Sequence, residues 1–368
     1  MSYVNIIIFL NSLFKVLLSS SLYLSVLSAY ELYTGNFYYA FLNGYDLVSA
    51  ILLLVVLSIP VRKACIFNLI VILISGLLVY VYPELCLIFI LVVSLIKRLD
   101  GNIRYSAVIE YCNYCKETVN TYNRAQNLSL ILSRLVPVSF VFLSQVINIP
   151  FSLSGLVSSI LACLIGYIGV VLSKRVGIKM HIETTNKRRY WVLNLSDSPK
   201  LLSHLWVVVF SLQSMFFFIV LDNNYQLSSY DINYVILSGA MGGVISNWFY
   251  KKLENYLCIL LLVWMFTSLF FIVNDSFLAL IISSFFAALS SQVLFVFCNN
   301  QYILSLVGDD ISSDVASKQF YGAIIPVFIF YLISFLSYEN IKIFYFLFLI
   351  FTSPFLYFLF KLNKVSYD

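Results

Sequence analysis

The sequence predicts an all-α polytopic membrane protein, with about twelve transmembrane helices in two six-helix bundles and both termini in the cytoplasm. Three observations support this prediction: an apolar composition, a series of long apolar runs, and a one-sided distribution of Lys and Arg. Of the 368 residues, 61% are hydrophobic and 11% are charged, whereas soluble domains average about 45–50% apolar and about 25% charged residues. A soluble fold of this length would lack the polar residues needed to cover its surface.

The apolar runs have the length of membrane helices. A spanning helix needs about 20 apolar residues, whereas a β-barrel shows weaker alternating segments of about 10 residues. The first run lacks a basic n-region and a small-residue cleavage site, so it is interpreted as a retained span. Breaking the runs at charges, Pro, Gly and Asn gives twelve predicted spans, at residues 4–27, 38–60, 63–82, 84–109, 125–147, 151–173, 203–222, 231–250, 255–273, 276–304, 315–337 and 341–361.

The Lys and Arg residues between the predicted spans lie almost entirely on one side of the membrane. Sixteen of them fall in loops on that side, and Lys342 alone falls on the other. Because basic loop residues are retained in the cytoplasm, both termini and the 174–202 loop are predicted to be cytoplasmic. The opposite loops carry acidic residues instead, namely Glu31, Glu84, Asp222, Asp231, Asp275 and Glu339.

One predicted span, residues 84–109, has a short apolar run and then four charged residues, Lys97, Arg98, Asp100 and Arg104. If this segment did not cross the membrane, every later loop would change sides and the basic clusters would face outward. The charge asymmetry therefore predicts a crossing. Residues three or four apart share one face of a helix, so Lys97, Asp100 and Arg104 are predicted to form a single stripe.

The longest polar segment divides the chain into two halves. We predict an N-terminal six-helix bundle at residues 1–173, a cytoplasmic linker at 174–202 and a C-terminal six-helix bundle at 203–368. Each half has a basic pair after its second span, at residues 62–63 and 251–252. Weak symmetry of this kind is typical of secondary transporters built from repeats.

Ionisable residues inside the predicted spans are the candidate functional residues. A charge at the centre of a bilayer costs at least about 2.5–3.5 kcal/mol, so such residues usually face a cavity or a partner. We predict that the stripe, with Lys15 and Arg134, attracts an anionic or zwitterionic substrate, and that an acidic residue couples transport to an ion. The alternative is that these charges reach the headgroups and only tie helices together. The substrate-binding or coupling candidates are Lys15, Asp46, Lys97, Asp100 and Arg104.

Two spans carry small residues at helical spacing. Gly239 and Gly243 form a GxxxG pattern, and Ser158, Ala162 and Gly166 repeat every four residues. Such spacing permits close approach of two helix backbones. Structural packing is the simpler interpretation, and sliding of helices during gating is the alternative.

The sequence predicts no disulfide framework, metal or cofactor. Cys112 and Cys115 form a lone CxxC, whereas a structural zinc site needs four ligands. Five other cysteines lie in or at the ends of apolar runs, where a thiol behaves as a small hydrophobic group. The chain also lacks a P-loop, a dinucleotide fingerprint and a GxSxG motif, and no loop has room for a soluble catalytic domain. An ATP-driven pump and an enzyme are therefore both disfavoured.

Two stretches resemble the major facilitator superfamily, particularly its exporter-type members. Residues 106–140, SAVIEYCNYCKETVNTYNRAQNLSLILSRLVPVSF, are similar to the fourth span, the following loop and the fifth span of that group. The residues that match are Ala125, Asn127 and Pro137.

The second stretch, NNQYILSLVGDDISSDVASKQFYGAIIP at residues 299–326, is similar to the tenth span, its loop and the eleventh span, with Gln301 and Pro326 matching. Of the basic motif expected after the second span, only Arg62 and Lys63 are present. The resemblance implies alternating access between two six-helix bundles, with spans one, four, seven and ten lining the cavity.

The leading functional prediction is a secondary active exporter of a small molecule, driven by an ion gradient. The alternatives are a lipid-linked saccharide flippase, which also has twelve spans, and a membrane enzyme of surface-polysaccharide assembly. The expected partners are an anionic or zwitterionic small molecule and the lipid bilayer, without nucleic acid, and the expected state is a monomer. The expected location is the bacterial inner (cytoplasmic) membrane.

Overall fold

A computed structural model describes the backbone of residues 3–32, 64–113, 116–177, 198–220, 229–274, 276–305, 311–333 and 336–365. These residues form α-helices joined by short turns, without a strand among them. The helical fold class is therefore confirmed for this part of the chain. The described helices are α1 (Tyr3–Leu32), α2 (Ala64–Val81), α3 (Cys86–Asn113), α4 (Lys116–Ile147), α5 (Phe151–Val176), α6 (Ser198–Val220), α7 (Ser229–Leu253), α8 (Leu257–Val273), α9 (Phe277–Ser305), α10 (Ile311–Ile333) and α11 (Tyr338–Val365).

These helices correspond to eleven of the twelve predicted spans. The second predicted span, residues 38–60, lies outside the described residues, so the total of twelve and the side of each terminus stay predictions. Within the described part, five segments are long and apolar enough to cross a membrane, namely Asn5–Ala29, Phe151–Val176, Asn233–Val273, Phe277–Ile303 and Glu339–Lys361.

The chain forms two compact units. Unit 1 comprises Met1–Trp191 with Val307–Phe320, and unit 2 comprises Val192–Leu306 with Tyr321–Asp368. Helix α10 is thus divided between them after Phe320. The predicted bundle boundaries and the 174–202 linker stay predictions, since most of the linker lies outside the described residues.

In unit 1, α1 packs against α3, α4 and α5, and α2 packs against α3 and α5. Serine hydroxyls join α1 to α5. The Ser158 hydroxyl donates to the Leu17 carbonyl oxygen at 2.8 Å, and the Ser21 and Ser159 hydroxyl oxygens lie 2.6 Å apart. The small residues of the predicted α5 stripe are buried in this contact, so their spacing brings two backbones close together.

In unit 2, α9 packs against α6, α7 and α8, and α11 packs against α6 and α8. A Cβ atom at Gly239 would lie 3.1 Å from the Ser284 hydroxyl oxygen, a contact that a small shift of the serine side chain relieves. A Cβ atom at Gly242 would lie only 2.3 Å from the Phe285 carbonyl oxygen. The tightest packing of α7 on α9 among these glycines therefore falls at Gly242, which the GxxxG pattern did not single out.

Candidate functional site

The charged span forms one continuous helix. Helix α3 runs for 28 residues from Cys86 to Asn113 and passes through all four charges without a break. Asp100 is fully buried and Arg104 is 5% exposed. Asp100 and Arg104 thus lie inside unit 1. The cost of removing their charges from water must be offset by contacts close to them.

Asp100 and Arg104 compensate each other. The Arg104 Nε–H donates to Asp100 Oδ2 within one turn of α3, and the two side chains form a buried ion pair. Both charges leave water on folding, so each depends on the other for neutralisation. The four-residue spacing in the sequence already predicts this contact.

The rest of the Arg104 guanidinium contacts two other helices. Its Nη1 donates to the Asn11 side-chain oxygen on α1 at 2.7 Å, and its Nη2 points to the Gly166 carbonyl oxygen on α5 at 3.5 Å. Its central carbon lies 4.6 Å from the centre of the Phe14 ring, which is cation–π distance. Arg104 therefore joins α1, α3 and α5.

Two glycines of α5 make room for this arrangement. A Cβ atom at Gly169 would lie 3.3 Å from Arg104 Nη1 and 3.4 Å from Asn11 Oδ1. A Cβ atom at Gly166 would lie 2.9 Å from a ring carbon of Phe14. A larger residue at either position would displace the guanidinium or the ring beneath it.

Several polar atoms around the pair have unused hydrogen-bonding capacity. Among the described residues, Asp100 Oδ1, Asn11 Nδ2 and Asn68 Nδ2 are buried without a hydrogen-bond partner. The Cys65 thiol also lies close to the Asp100 carboxylate. Unsatisfied buried polar atoms are costly, so these donors and acceptors add to the cost of burying the charged pair.

Two lysines flank the ion pair. Lys15 on α1 and Lys97 on α3 are half-buried, and their ammonium groups lie within electrostatic reach of each other. Two like charges that lie close together disfavour the charged form of each. Arg98 is also half-buried on α3.

Four of the five predicted site residues, Lys15, Lys97, Asp100 and Arg104, thus belong to one region of unit 1. Asp46 and the Arg134 side chain lie outside the described residues. The predicted stripe on α3 is divided: Asp100 and Arg104 are enclosed, whereas Lys97 is half-buried.

Sequence reasoning missed the partners of Arg104. Neither Asn11 nor Phe14 was selected, although Asn11 precedes Lys15 by one helical turn and is a polar residue in an apolar run. Gly169 was also missed, whereas Gly166 was selected only for packing. The polar character of Asn11 was the one available signal.

Unit 2 contains a neutral polar network. The Trp264 indole N–H donates to Gln213 Oε1 at 2.6 Å, and Gln213 Nε2 donates to the Ser268 hydroxyl at 2.6 Å. Ser268 in turn donates to the Trp264 carbonyl oxygen at 2.7 Å. Every member of this network has a partner, as expected for buried polar groups that stabilise packing.

The chain has the fold of solved membrane transporters. No family model and no curated protein matches it. The structure of FucP, a major facilitator superfamily transporter in the outward conformation, is similar with a TM-score of 0.60 and 11% identity over 99% of each chain. The human organic anion transporter MFSD10 (TETRAN) gives 0.60 and 12% over 97% of this chain and 99% of that one. The nucleoside transporter NupG gives 0.54 and 12% over 99% of each chain.

The resemblance to the major facilitator superfamily is therefore confirmed at the level of the fold. The three solved structures compared with the chain are described as transporters, and at 11–12% identity the likeness shows the fold. Pro137 and Pro326, which the resemblance placed inside helices, lie inside α4 and α10.

Proposed function

We propose that the chain is a secondary active membrane transporter that moves a small molecule by alternating access. The observation that supports this most directly is the charged cluster inside unit 1. Charged groups in a bilayer are costly and commonly mark substrate or ion pathways. Four of them occupy adjacent helices in a fold whose solved examples are transporters.

The substrate is anionic or zwitterionic in this proposal. The Asp100–Arg104 pair is neutral as a unit, and Lys15, Lys97 and Arg98 are the further cations of this region. These two lysines receive the anionic group of the substrate. One structural neighbour, MFSD10, is an organic anion transporter, which supports testing this chemical class first.

Transport runs outward and is driven by an ion gradient in this proposal. A carboxylate in the membrane can bind and release a proton as the protein changes state. Asp100, which has one oxygen without a described hydrogen-bond partner, and Asp46 are the coupling candidates. The chain works as a monomer in the bacterial inner membrane, with both termini in the cytoplasm.

The test is flux in proteoliposomes that contain the purified protein. Radiolabelled benzenesulfonate, which has no permeant neutral form, serves as the organic anion and radiolabelled uridine as the neutral comparison, each with and without an imposed pH gradient. We expect benzenesulfonate to accumulate only in vesicles with protein and to depend on the gradient. A flippase or an enzyme would give no gradient-dependent flux of a soluble anion, and that outcome would reject the proposal.

Variants assign the role of the two lysines. Lys15→Gln and Lys97→Gln should each reduce benzenesulfonate transport by about tenfold or more, because each removes a charge-assisted interaction in a partly desolvated site. Lys252→Gln is the matched control, since Lys252 is exposed at the last turn of α7. Equal transport by all three variants would contradict the assignment of Lys15 and Lys97.

A further inference from the structure

The C-terminal end of α7 in unit 2 carries two exposed lysines beside an exposed tryptophan. Lys251 and Lys252 occupy the last turn of the helix, and Trp248 precedes them by three and four residues. Residues at these spacings share one face of a helix. Trp248 is 78% exposed, whereas Trp206 and Trp264 of the same unit are fully buried. The end of α7 therefore presents an indole ring and two ammonium groups on one exposed face.

The opposite face of this helix end packs into unit 2. Tyr250 and Leu253 lie against the hydrophobic core of the unit. Leu257, which follows the short 3-10 turn Glu254–Tyr256, is buried in the same core. Because the inner face is anchored in this way, the exposed face with Trp248 has a fixed orientation on the unit.

The charges of the two lysines are not neutralised by a neighbouring carboxylate. The nearest acidic residue in the sequence, Glu254, accepts a hydrogen bond from the Tyr250 hydroxyl at 3.0 Å, on the inner side of the helix end. Among the described residues, no carboxylate forms an ion pair with Lys251 or Lys252. Two adjacent cations without a counter-ion from the protein attract an anion from their surroundings.

The position of this face in the chain identifies those surroundings as a membrane surface. The apolar segment Asn233–Val273 is long enough to cross a membrane, and the lysines lie inside it, where α7 ends before α8. Its 41 residues would be about 60 Å long as one helix, twice the hydrocarbon thickness of about 30 Å. We therefore expect α7 and α8 to cross separately, with the lysines at the membrane surface between the two crossings.

We propose that Trp248, Lys251 and Lys252 form a binding site for the headgroup of an anionic phospholipid. The ammonium groups contact the lipid phosphate, whose charge no choline offsets. The indole ring lies where headgroup and acyl chain meet, a depth at which tryptophan is enriched in membrane proteins. Lysine stems run along apolar surface while their ammonium groups stay in the polar layer. The site belongs to unit 2 and does not depend on the transport function proposed for the cluster of unit 1.

The chain contains a second basic pair that lacks the tryptophan. Lys174 and Arg175 are exposed at the last turn of α5 in unit 1. The four residues before Lys174, VVLS, include no aromatic residue. The two pairs carry the same charge at a helix end, so a comparison between them separates the effect of net charge from that of a site beside Trp248.

Fluorescence quenching by brominated lipids tests the site. The purified protein is reconstituted in dioleoylphosphatidylcholine with increasing amounts of dibrominated phosphatidylglycerol, or of phosphatidylcholine with the same brominated chains. Bromine quenches tryptophan only at short range, and the difference between the wild-type protein and Trp248→Phe isolates the signal of Trp248. Each brominated lipid is present in both leaflets, so the result does not depend on the orientation of the protein.

We expect brominated phosphatidylglycerol to quench Trp248 at a mole fraction at least about fivefold lower than brominated phosphatidylcholine. This is the factor that one lysine contributes near an anionic lipid surface. The preference should fall as the salt concentration rises, because exposed charges are screened. Equal quenching by the two lipids would overturn the proposal, and so would a preference that salt does not change.

Two double variants assign the preference to the lysines of α7. Lys251→Gln with Lys252→Gln should abolish it and leave quenching by brominated phosphatidylcholine unchanged, whereas Lys174→Gln with Arg175→Gln should keep it. Both pairs are exposed, so neither double variant removes a core contact. Equal loss of the preference in both double variants would mean that net charge alone attracts the lipid. That result, or a preference that survives without Lys251 and Lys252, would overturn the site.

Discussion

The two units have different interiors. The described interior of unit 1 contains a buried ion pair and two half-buried lysines. In the described part of unit 2, the buried residues include no Asp, Glu, Lys or Arg. Its centre is aromatic instead: the rings of Trp206 and Trp264 lie 5.3 Å apart, and those of Trp206 and Phe360 lie 6.0 Å apart.

The two units therefore differ in the kind of polar group that they bury. In unit 2, Gln213, Trp264 and Ser268 satisfy one another, which is what stable packing requires. Among the described residues, Asp100 Oδ1 and Asn11 Nδ2 have no hydrogen-bond partner and lie beside a charged pair, whereas the unsatisfied atoms of unit 2, such as Trp206 Nε1 and Gln292 Nε2, belong to an interior in which no buried Asp, Glu, Lys or Arg is described. A helix bundle in lipid is stable without buried charge, so the buried charges of unit 1 are consistent with the transport function proposed above.

The largest effect should come from breaking the buried ion pair. Asp100→Leu leaves the Arg104 charge without its partner, and removal of one member of a buried pair typically costs about 3–5 kcal/mol. The free energy of unfolding in detergent measures this loss. The double variant Asp100→Leu with Arg104→Met removes both charges and should recover most of it. If the single and double variants were equally unstable, the pair would not be the source of the cost.

A smaller effect is expected at the α7–α9 contact of unit 2. In Gly242→Ala the new Cβ atom would meet the Phe285 carbonyl oxygen at 2.3 Å, so the two backbones must separate. Overpacking of this kind costs about 1–3 kcal/mol. The same unfolding measurement on Gly155→Ala, whose Cβ atom would make only ordinary contacts of 3.7 Å or more, should show a much smaller change. If Gly242→Ala and Gly155→Ala lost the same stability, the loss would come from replacing any glycine by alanine and not from the close contact with the Phe285 backbone.

The smallest effect concerns the two tryptophans of unit 2. Trp264→Phe removes the hydrogen bond to Gln213, whereas among the described residues the Trp206 N–H has no hydrogen-bond partner. Both residues are fully buried, so both changes to Phe remove the same volume. We expect Trp264→Phe to be less stable than Trp206→Phe by about 1 kcal/mol, the net value of one hydrogen bond. If Trp264→Phe and Trp206→Phe had equal melting curves, the hydrogen bond from Trp264 to Gln213 would make no net contribution to stability.

The sequence predicted those features of the structure that depend on residues close together in the chain. The apolar runs predicted the helices, including the one that carries Lys97 and Arg104, whereas the membrane crossing that the charge asymmetry predicts for this segment stays a prediction. The spacing of Asp100 and Arg104 predicted their contact, because residues four apart meet on every α-helix. These signals depend only on neighbouring residues and on the bilayer.

The partners of Arg104 were not predictable in this way. Asn11 and Arg104 are separated by 93 positions in the chain, and no local period relates them. The contact exists because α1 packs on α3 at one particular height, and because Gly166 and Gly169 let α5 approach. Gly242 was missed for the same reason, since its contact is with the backbone of another helix.

By itself, the sequence determined that the chain is a helical membrane protein and which residues carry charge inside it. Apolar length and charge content set these features, because a charge in lipid is costly wherever its helix packs. Only the tertiary structure decided which cations are enclosed and which are left half-buried. Asp100 and Arg104 are enclosed as an internal pair, whereas Lys15 and Lys97 are half-buried, because burial depends on how neighbouring helices pack against α1 and α3.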